Sequence, residues 1–167
     1  MTLPILISEK AKSQPDFVVL TFENNGAEET RSYSQLWNNA LRIALSLRER
    51  GIKSGDRFAI LMQNHPEFVE SMIAAGILGA VTVPIDPRTK GEKLAYMLRD
   101  SGSVGIICGD YSLADVQDAL HNAKSVKWVF AVGNTVSPTD AELHIVKFDQ
   151  IYSLPVIDIP ITADKLS

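Results

Sequence analysis

The sequence is poor in the residues that build disulfides and metal centres. Its 167 residues include a single cysteine, Cys108, and three scattered histidines, His65, His121 and His144. One cysteine excludes an internal disulfide and a zinc site made of cysteine pairs, and we expect no metal site. Basic residues are not in excess either, because 16 Lys and Arg face 20 Asp and Glu for a net charge of −4. Binding to nucleic acid or to an anionic membrane surface is therefore not expected.

Long apolar runs are also missing. The longest uncharged stretch, residues 71–85, contains Pro84 and is shorter than the roughly 20 residues that a membrane-spanning helix needs. The apolar residues 1–7 lack the basic region and the long apolar core of a signal peptide. Apolar residues make up 46% of the chain and charged residues 22%, which is typical of a folded domain. We expect a soluble, cytoplasmic protein with no membrane span.

Apolar periodicity predicts strands and helices in alternation. Residues 17–22 and 29–33 are the expected strands of an N-terminal β-hairpin around Asn24-Asn25-Gly26. An apolar stripe over residues 34–50 predicts a helix capped by Ser34, and the unbroken apolar run 57–62 predicts a strand covered on both faces. A buried helix is expected after Asn64, its predicted N-cap, with Glu67 reaching back to the cap and the body extending to Ala80.

The rest of the chain continues this alternation. The further predicted strands are 81–85, 104–108, 127–132 and 143–148, and the further predicted helices are 92–99 and 112–123, the latter capped by Ser112. This order predicts an α/β fold with a mostly parallel sheet and helices on both faces. From Tyr152 onward, prolines and isolated apolar residues predict an extended connector. We therefore expect an α/β subdomain at 1–151 and a connector at 152–167.

Common catalytic motifs are absent. The chain has no Gly-x-x-x-x-Gly-Lys-Ser/Thr, no Gly-x-Gly-x-x-Gly and no Gly-x-Ser-x-Gly. His65 is either a general base or a solvated first-turn histidine, and the latter is favoured. Asp86 and Asp110 follow strands, where ligands gather in parallel sheets, but both also suit turns. Cys108 is expected to be a buried, unreactive thiol with a raised pKa. The residues alone predict no catalytic constellation.

Three stretches in register carry a more specific signal. They are residues 32–36 (Ser-Tyr-Ser-Gln-Leu), residues 55–68 (Gly-Asp-Arg-Phe-Ala-Ile-Leu-Met-Gln-Asn-His-Pro-Glu-Phe) and residues 79–88 (Gly-Ala-Val-Thr-Val-Pro-Ile-Asp-Pro-Arg). Together they resemble the N-terminal part of the AMP-forming acyl-CoA synthetase and adenylation-domain superfamily. The chain departs from the family pattern at Gln35, where an acidic residue is usual, and just before Gly79, where a Lys-Ala pair is common.

The resemblance implies a scaffold subdomain. The parent enzyme would use ATP, Mg²⁺ and CoA to form an acyl adenylate and then a thioester, and the isolated chain would be inactive. No catalytic or metal-binding residue is implied here, because the family's phosphate loop and catalytic lysine would follow residue 167. The implied partner is the remainder of the ligase, and an uncovered apolar face predicts self-association.

Arg88 is the one candidate ligand-binding residue. In some CoA ligases of this family, an arginine after a Pro-x-Asn/Asp-Pro turn approaches the CoA nucleotide phosphate, and Arg88 follows Pro84-Ile85-Asp86-Pro87. The alternative is a solvated turn arginine or an ion pair with a nearby carboxylate. Other functions stay open: an adenylation-domain part of a peptide-synthetase-type enzyme, and a stand-alone small α/β module. Such a module would either bind a ligand with Asp86 or Asp110 at its site or interact through its apolar surface.

Overall fold

The chain folds into two compact units. The computed structural model describes residues 2–24, 26–133 and 145–162, with the side chain of Asn24 left undescribed. Unit 1 combines Met1–Ser54, Asn64–Ala80 and Leu154–Ser167, and unit 2 combines Gly55–Gln63 and Val81–Ser153.

Unit 1 contains three helices and a β-hairpin. The helices are α1 (Leu3–Ser13), α2 (Tyr33–Glu49) and α3 (Pro66–Leu78), and the hairpin pairs β1 (Val18–Asn24) with β2 (Ala27–Ser32) in antiparallel register. The hairpin confirms the sequence prediction, and α1 was not predicted. Its helical pattern is weak in the sequence, because only Pro4 and Ile7 are buried along its whole length.

Helix α2 shows the predicted stripe but begins one residue early. Its apolar stripe is buried, as expected (Leu36, Ala40, Ile43, Ala44 and Leu47). The N-cap is Ser32 and not Ser34, so the predicted cap was wrong. Extended backbone at Ser32 lets its hydroxyl accept a hydrogen bond from the Gln35 amide at 3.3 Å, while the Gln35 side chain accepts one from the Ser32 amide at 2.8 Å. The result is a complete capping box.

Helix α3 differs from its prediction at both ends. Its N-cap is His65, without a side-chain capping bond, and not Asn64. Glu67 does not reach back to a cap, because its carboxylate lies buried 4.0 Å from the Arg31 guanidinium. Gly79, which we placed inside the helix, is its C-cap with φ of 69°. Glycine adopts this left-handed conformation without a Cβ penalty, and α3 therefore ends at Leu78.

Unit 2 is built on a five-stranded sheet in the order β4-β3-β5-β6-β7, with every neighbouring pair parallel. The strands are β3 (Arg57–Leu61), β4 (Val81–Pro84), β5 (Ile106–Gly109), β6 (Val129–Val132) and β7 (Ile145–Lys147). Strand β4 lies at an edge, where Pro84 is tolerated because it has no amide hydrogen to donate.

Helices α4 (Gly91–Ser101) and α5 (Leu113–Leu120) pack on one face of this sheet. Their shared core joins Leu94, Leu98 and Val116 to residues that project from β3 and β5, including Ala59 and Ile106. Successive residues of β3 from Phe58 to Leu61 are all buried, which confirms that this strand is covered on both faces. Unpredicted helix α6 (Phe148–Tyr152) follows β7, so Phe148 begins a helix instead of ending a strand.

The described part of the predicted connector has no strand, and residues 154–161 contain no helix. It is not free of contacts, because Arg42 Nε of α2 donates to the Leu154 carbonyl at 2.9 Å and Ile159 is buried. Residues 163–167 of the connector lie outside the described residues. The predicted fold class is confirmed: the chain is an α/β protein with a parallel sheet flanked by helices and an N-terminal hairpin. Within the described residues, no helix is both long and apolar enough to cross a membrane.

Candidate functional site

The turn after β4 presents the predicted ligand residue, Arg88, to solvent. Its side chain is 89% exposed. Its Nη2 donates to Asp86 Oδ2 at 2.6 Å, and its Nε donates to Asp86 Oδ1 at 3.0 Å. The Thr89 amide closes the turn by donating to the Asp86 carbonyl at 2.8 Å. The turn therefore holds a solvent-facing guanidinium against one carboxylate.

The charges around this turn are close to balanced. The Arg88 hydrogen bonds, with a further attraction from Lys93, hold the pKa of Asp86 well below its ordinary value. The same bonds raise the pKa of Arg88. Lys90 pairs with Asp115 of α5 at 2.9 Å. A phosphate that approached Arg88 would therefore meet a guanidinium that already has an anionic partner.

A second group of polar side chains lies at the carboxyl ends of the central strands. Tyr111, which the sequence analysis did not single out, accepts a hydrogen bond on its hydroxyl from the Gln63 amide at 2.6 Å. Its ring covers Gly109, and the Asp110 carboxylate lies against Gly133 after β6. Burial, and more weakly Cys108 and Asp110, raise the pKa of Tyr111. The signal that could have found Tyr111 is its position two residues after the buried strand β5.

The two aspartates predicted at strand ends are not neighbours. Asp86 follows edge strand β4 and Asp110 follows β5, and β3 lies between those strands in the sheet. Neighbouring strands are about 4.8 Å apart, so β4 and β5 lie about two such spacings apart and the sheet does not place these two strand ends side by side. Cys108 is fully buried in β5, and burial, with a smaller effect of Asp110, raises the pKa of its thiol to about 12. A thiol in this environment is unreactive, as the sequence predicted.

The two histidines that the structure describes, His65 and His121, belong to different helix ends. His65 lies at the start of α3 with its ring centroid 5.2 Å from that of Phe22. Both residues line a largely apolar recess of about 260 Å³ between β1 and the first turns of α3. His121 is the C-cap of α5, and His144 lies outside the described residues. Across the described residues, no group of three His, Cys, Asp or Glu side chains is arranged to hold a metal ion.

Unit 1 contains a buried ion pair that sequence reasoning missed. Arg31 Nε of β2 donates to Oε1 of the fully buried Glu70 in α3 at 2.7 Å, and Asn39 Nδ2 of α2 donates to the same oxygen at 2.9 Å. Glu29 Oε1 lies 2.6 Å from Nη2 of the same guanidinium. Burial by itself would lower the pKa of Arg31, but Glu70 and Glu29 raise it. No sequence signal joins residues so far apart along the chain.

Comparison with known proteins places this chain in a family. Residues 7–158 match the family described as AMP-binding enzyme. The chain belongs to the AMP-binding enzyme family. The matched range includes the Asp86–Arg88 turn, the sheet of unit 2 and the Arg31–Glu70 pair, and the suspected resemblance is confirmed.

Individual relatives of this AMP-binding chain are synthetases and ligases. It is 43% identical over 89 residues to a long-chain-fatty-acid–CoA ligase of Mycobacterium tuberculosis, covering 53% of this chain and 18% of the relative. It is 40% identical over 76 residues to a feruloyl-CoA synthase of an Amycolatopsis species, covering 46% and 16%. Bacitracin synthase 1 of Bacillus licheniformis is 32% identical over 110 residues, which cover 66% of this chain and 2% of the synthase.

The same fold occurs in solved ligase structures. Coronafacic acid ligase of Pectobacterium brasiliense superposes with a TM-score of 0.83 at 20% identity, over 96% of this chain and 31% of the ligase. At that identity the likeness concerns the fold alone. The chain thus spans about a third of the ligase structure and under a fifth of these curated relatives.

Proposed function

We propose that this chain is the N-terminal scaffold part of an ATP-dependent, AMP-forming acyl-CoA ligase. The observation that carries the proposal is the family match over residues 7–158, within which the turn after β4 exposes a guanidinium. The scaffold spans residues 1–151, and residues 152–167 connect it to the nucleotide-binding part of the ligase. Because ATP and CoA are cytoplasmic substrates, we place the protein in the cytoplasm.

The proposed parent reaction has two steps. A carboxylate attacks the α-phosphate of ATP, which yields an acyl adenylate and pyrophosphate, and the thiol of CoA then displaces AMP. Mg²⁺ would supply charge that offsets the triphosphate in the first step. No residue of this chain is proposed as catalytic or as a metal ligand. Its contribution is a supporting layer, because β4, which leads into the turn, is hydrogen-bonded along β3, and β3 is buried and paired on both sides.

Within this proposal, Arg88 contacts a phosphate of the CoA nucleotide during thioester formation. A guanidinium binds a phosphate through two parallel hydrogen bonds, the same geometry that Arg88 now makes with Asp86. In a full-length ligase that carries these residues, Arg88→Ala should raise KM for CoA and leave adenylate formation unchanged. Lys90→Ala is the matched control, because Lys90 is a nearby exposed cation already paired with Asp115. An unchanged KM for CoA would remove the role from Arg88.

Catalysis by the isolated chain gives a direct test of the scaffold role. The purified 167-residue protein is incubated with ATP, Mg²⁺, labelled pyrophosphate and a panel of fatty, aryl and amino acids. We expect no exchange of label into ATP, since the family's ATP-binding elements are not among these residues. Exchange above the level of a chain-free control would overturn the proposal.

A peptide-synthetase adenylation domain is the second candidate parent. The match to bacitracin synthase 1 covers 66% of this chain, which exceeds the 53% covered by the fatty-acid ligase, although its identity is lower at 32% against 43%. The thiol acceptor separates the two candidates. A full-length protein that transfers its acyl adenylate to a carrier-protein thiol, but not to CoA, would favour the synthetase.

The proposed partner is the remainder of the ligase, with self-association when that part is missing. The support is the exposed apolar strip at the start of the hairpin, which consists of Phe17, Val18 and Val19 with 60%, 50% and 38% exposure. Exposed apolar surface of this kind usually marks a contact with another chain or domain. Neither nucleic acid nor a membrane is proposed as a partner.

A further inference from the structure

The Asp86 carboxylate occupies the side of Arg88 that an incoming phosphate would need. Arg88 Nε lies 3.0 Å from Oδ1 and 3.2 Å from Oδ2, and Nη2 lies 2.6 Å from Oδ2. Both carboxylate oxygens therefore accept from one edge of the guanidinium, the edge formed by Nε and Nη2. Carboxylates and phosphates compete for this edge because each presents two acceptor oxygens at similar spacing.

Asp86 has a second task that does not need its charge. Its Oδ1 accepts a hydrogen bond from the Arg88 amide at 2.9 Å, which closes a turn between the two residues. An asparagine offers the same carbonyl oxygen at the same position, and Asn and Asp both favour such turns. The turn closure and the charge neutralisation can therefore be separated by one substitution.

The two neighbouring cations, Lys90 and Lys93, do not take over the role of Arg88. Lys90 is held by Asp115, at 2.9 Å on α5. Lys93 acts on Asp86 through its charge alone and without a hydrogen bond. Loss of the Asp86 charge would thus leave a fork-shaped donor, with a second positive charge nearby, open to a phosphate.

We propose that Asp86 is a specificity-determining residue that competes with phosphate for Arg88. This inference rests on the proposed contact between Arg88 and CoA. The carboxylate preorients the guanidinium and lowers its affinity for anions, so that singly charged anions are rejected. A phosphomonoester dianion, such as the 3′-phosphate of CoA, carries enough charge to displace it.

The test uses the 167-residue chain and adenosine 3′,5′-bisphosphate as the probe. Binding is followed by NMR while the probe is titrated into wild type, Asp86→Asn and Asp86→Asn/Arg88→Ala. The backbone amide signals of Thr89 and Lys90 report on all three proteins, and the Nε–Hε signal of Arg88 reports on the two that retain this residue. Asp86→Asn should bind about two- to fivefold more tightly than wild type, a small gain because the ion pair that it removes is exposed to solvent. The gain should vanish in the double variant. Acetate, a singly charged anion, should bind measurably only to Asp86→Asn.

Two further variants separate the Asp86 charge from the neighbouring ion pair and from closure of the turn. Asp115→Asn removes a carboxylate from the Lys90 pair and should change probe affinity by less than the Asp86 substitution. Asp86→Ser gives a second neutral side chain that can close the turn, in case Asp86→Asn is poorly folded. Equal tightening by Asp86→Asn and Asp115→Asn, or no tightening by either neutral Asp86 variant, would overturn the inference.

Failure of the role of Asp86 can be distinguished from failure of the proposed contact between Arg88 and CoA. Tightening through Arg88 in the isolated chain, together with an unchanged KM for CoA in full-length Arg88→Ala, would refute the CoA contact and leave the competition intact. The reverse pattern would keep the CoA contact and refute the role of Asp86.

Discussion

At the residue scale, the Arg31–Glu70 pair has the largest energetic consequence among the described polar contacts. The Glu70 side chain has no exposed surface, and the Arg31 side chain is only 11% exposed. A buried charge that loses its partner is strongly destabilised, whereas an exposed pair adds little. The two glutamates that flank Arg31 therefore differ sharply in their expected contribution.

Glu70→Ala should lower the free energy of unfolding by about 3–5 kcal/mol, because it removes the buried oxygen that accepts from both Arg31 Nε and Asn39 Nδ2. Glu29→Ala is the matched control on the same guanidinium, and its half-exposed side chain should contribute no more than about 1 kcal/mol. Urea unfolding followed by circular dichroism measures both. Similar losses in the two variants would contradict this account.

The pH dependence of stability should include a contribution from Glu67. Burial raises its pKa in the folded chain above the ordinary value of 4.5. The folded state then binds the Glu67 proton more tightly than the unfolded state does. The stabilisation that this proton gives is complete below pH 4.5, and it is lost as pH rises through the raised pKa.

Glu67→Gln, which stays neutral at every pH, should therefore have a higher Tm than wild type at pH 7. The difference should shrink to zero as the pH falls below 4.5, where wild type is protonated in both states. Glu28→Gln, on exposed β2, serves as control. A Tm gap that is independent of pH would show that burial of the Glu67 charge is not its cause.

At the element scale, the capping box fixes where α2 begins. Ser32→Ala should reduce stability by about 1 kcal/mol, because the hydroxyl that accepts from the Gln35 amide is lost. Ser34→Ala lies two residues further along, within the first turn, and should change stability by less than about 0.5 kcal/mol. Thermal or urea unfolding distinguishes them. A larger effect at Ser34 would indicate that Ser34 is the N-cap, as the sequence predicted.

Helices α1 and α3 approach closely at Gly76. A Cβ atom at this position would lie 2.6 Å from Pro4 Cγ. Gly76→Ala should therefore destabilise unit 1 by about 1 kcal/mol, since overpacking of 1–3 kcal/mol outweighs the roughly 1 kcal/mol that alanine gains in helix propensity.

Pro4→Ala should relieve this clash. In a double-mutant cycle, Pro4→Ala/Gly76→Ala is expected to be more stable than the sum of the single changes by about 0.5–3 kcal/mol. Urea unfolding of the four proteins gives the coupling energy. A coupling energy of zero would show that α1 moves away from α3 without cost.

At the scale of the whole molecule, the apolar strip of the hairpin should govern association. Val18→Thr/Val19→Thr keeps β-branched side chains and removes exposed apolar surface. It should weaken self-association of the isolated chain about tenfold, as measured by sedimentation equilibrium. Val156→Thr/Ile157→Thr provides an equally exposed apolar pair outside the hairpin. Equal weakening by both pairs would contradict a specific role for the hairpin.

Periodicity and turn chemistry in the sequence were sufficient for most elements. The stripe from Leu36 to Leu47, the unbroken apolar run of β3 and Pro84 on edge strand β4 each express a local rule of helix or strand geometry. The helix ends were less predictable. Ser32 and Ser34 both satisfy the capping preference, and only the backbone path out of β2 selects Ser32.

The sequence by itself determined the α/β class, the family and the position of Arg88 in the turn after β4, because each depends on residues close together along the chain. Only the tertiary structure decided that Arg31 meets Glu70, that Tyr111 meets Gln63 and that Asp86 is separated from Asp110 by a strand. Those contacts join distant segments, and their existence depends on strand order and helix packing. No local spacing of residues encodes that order.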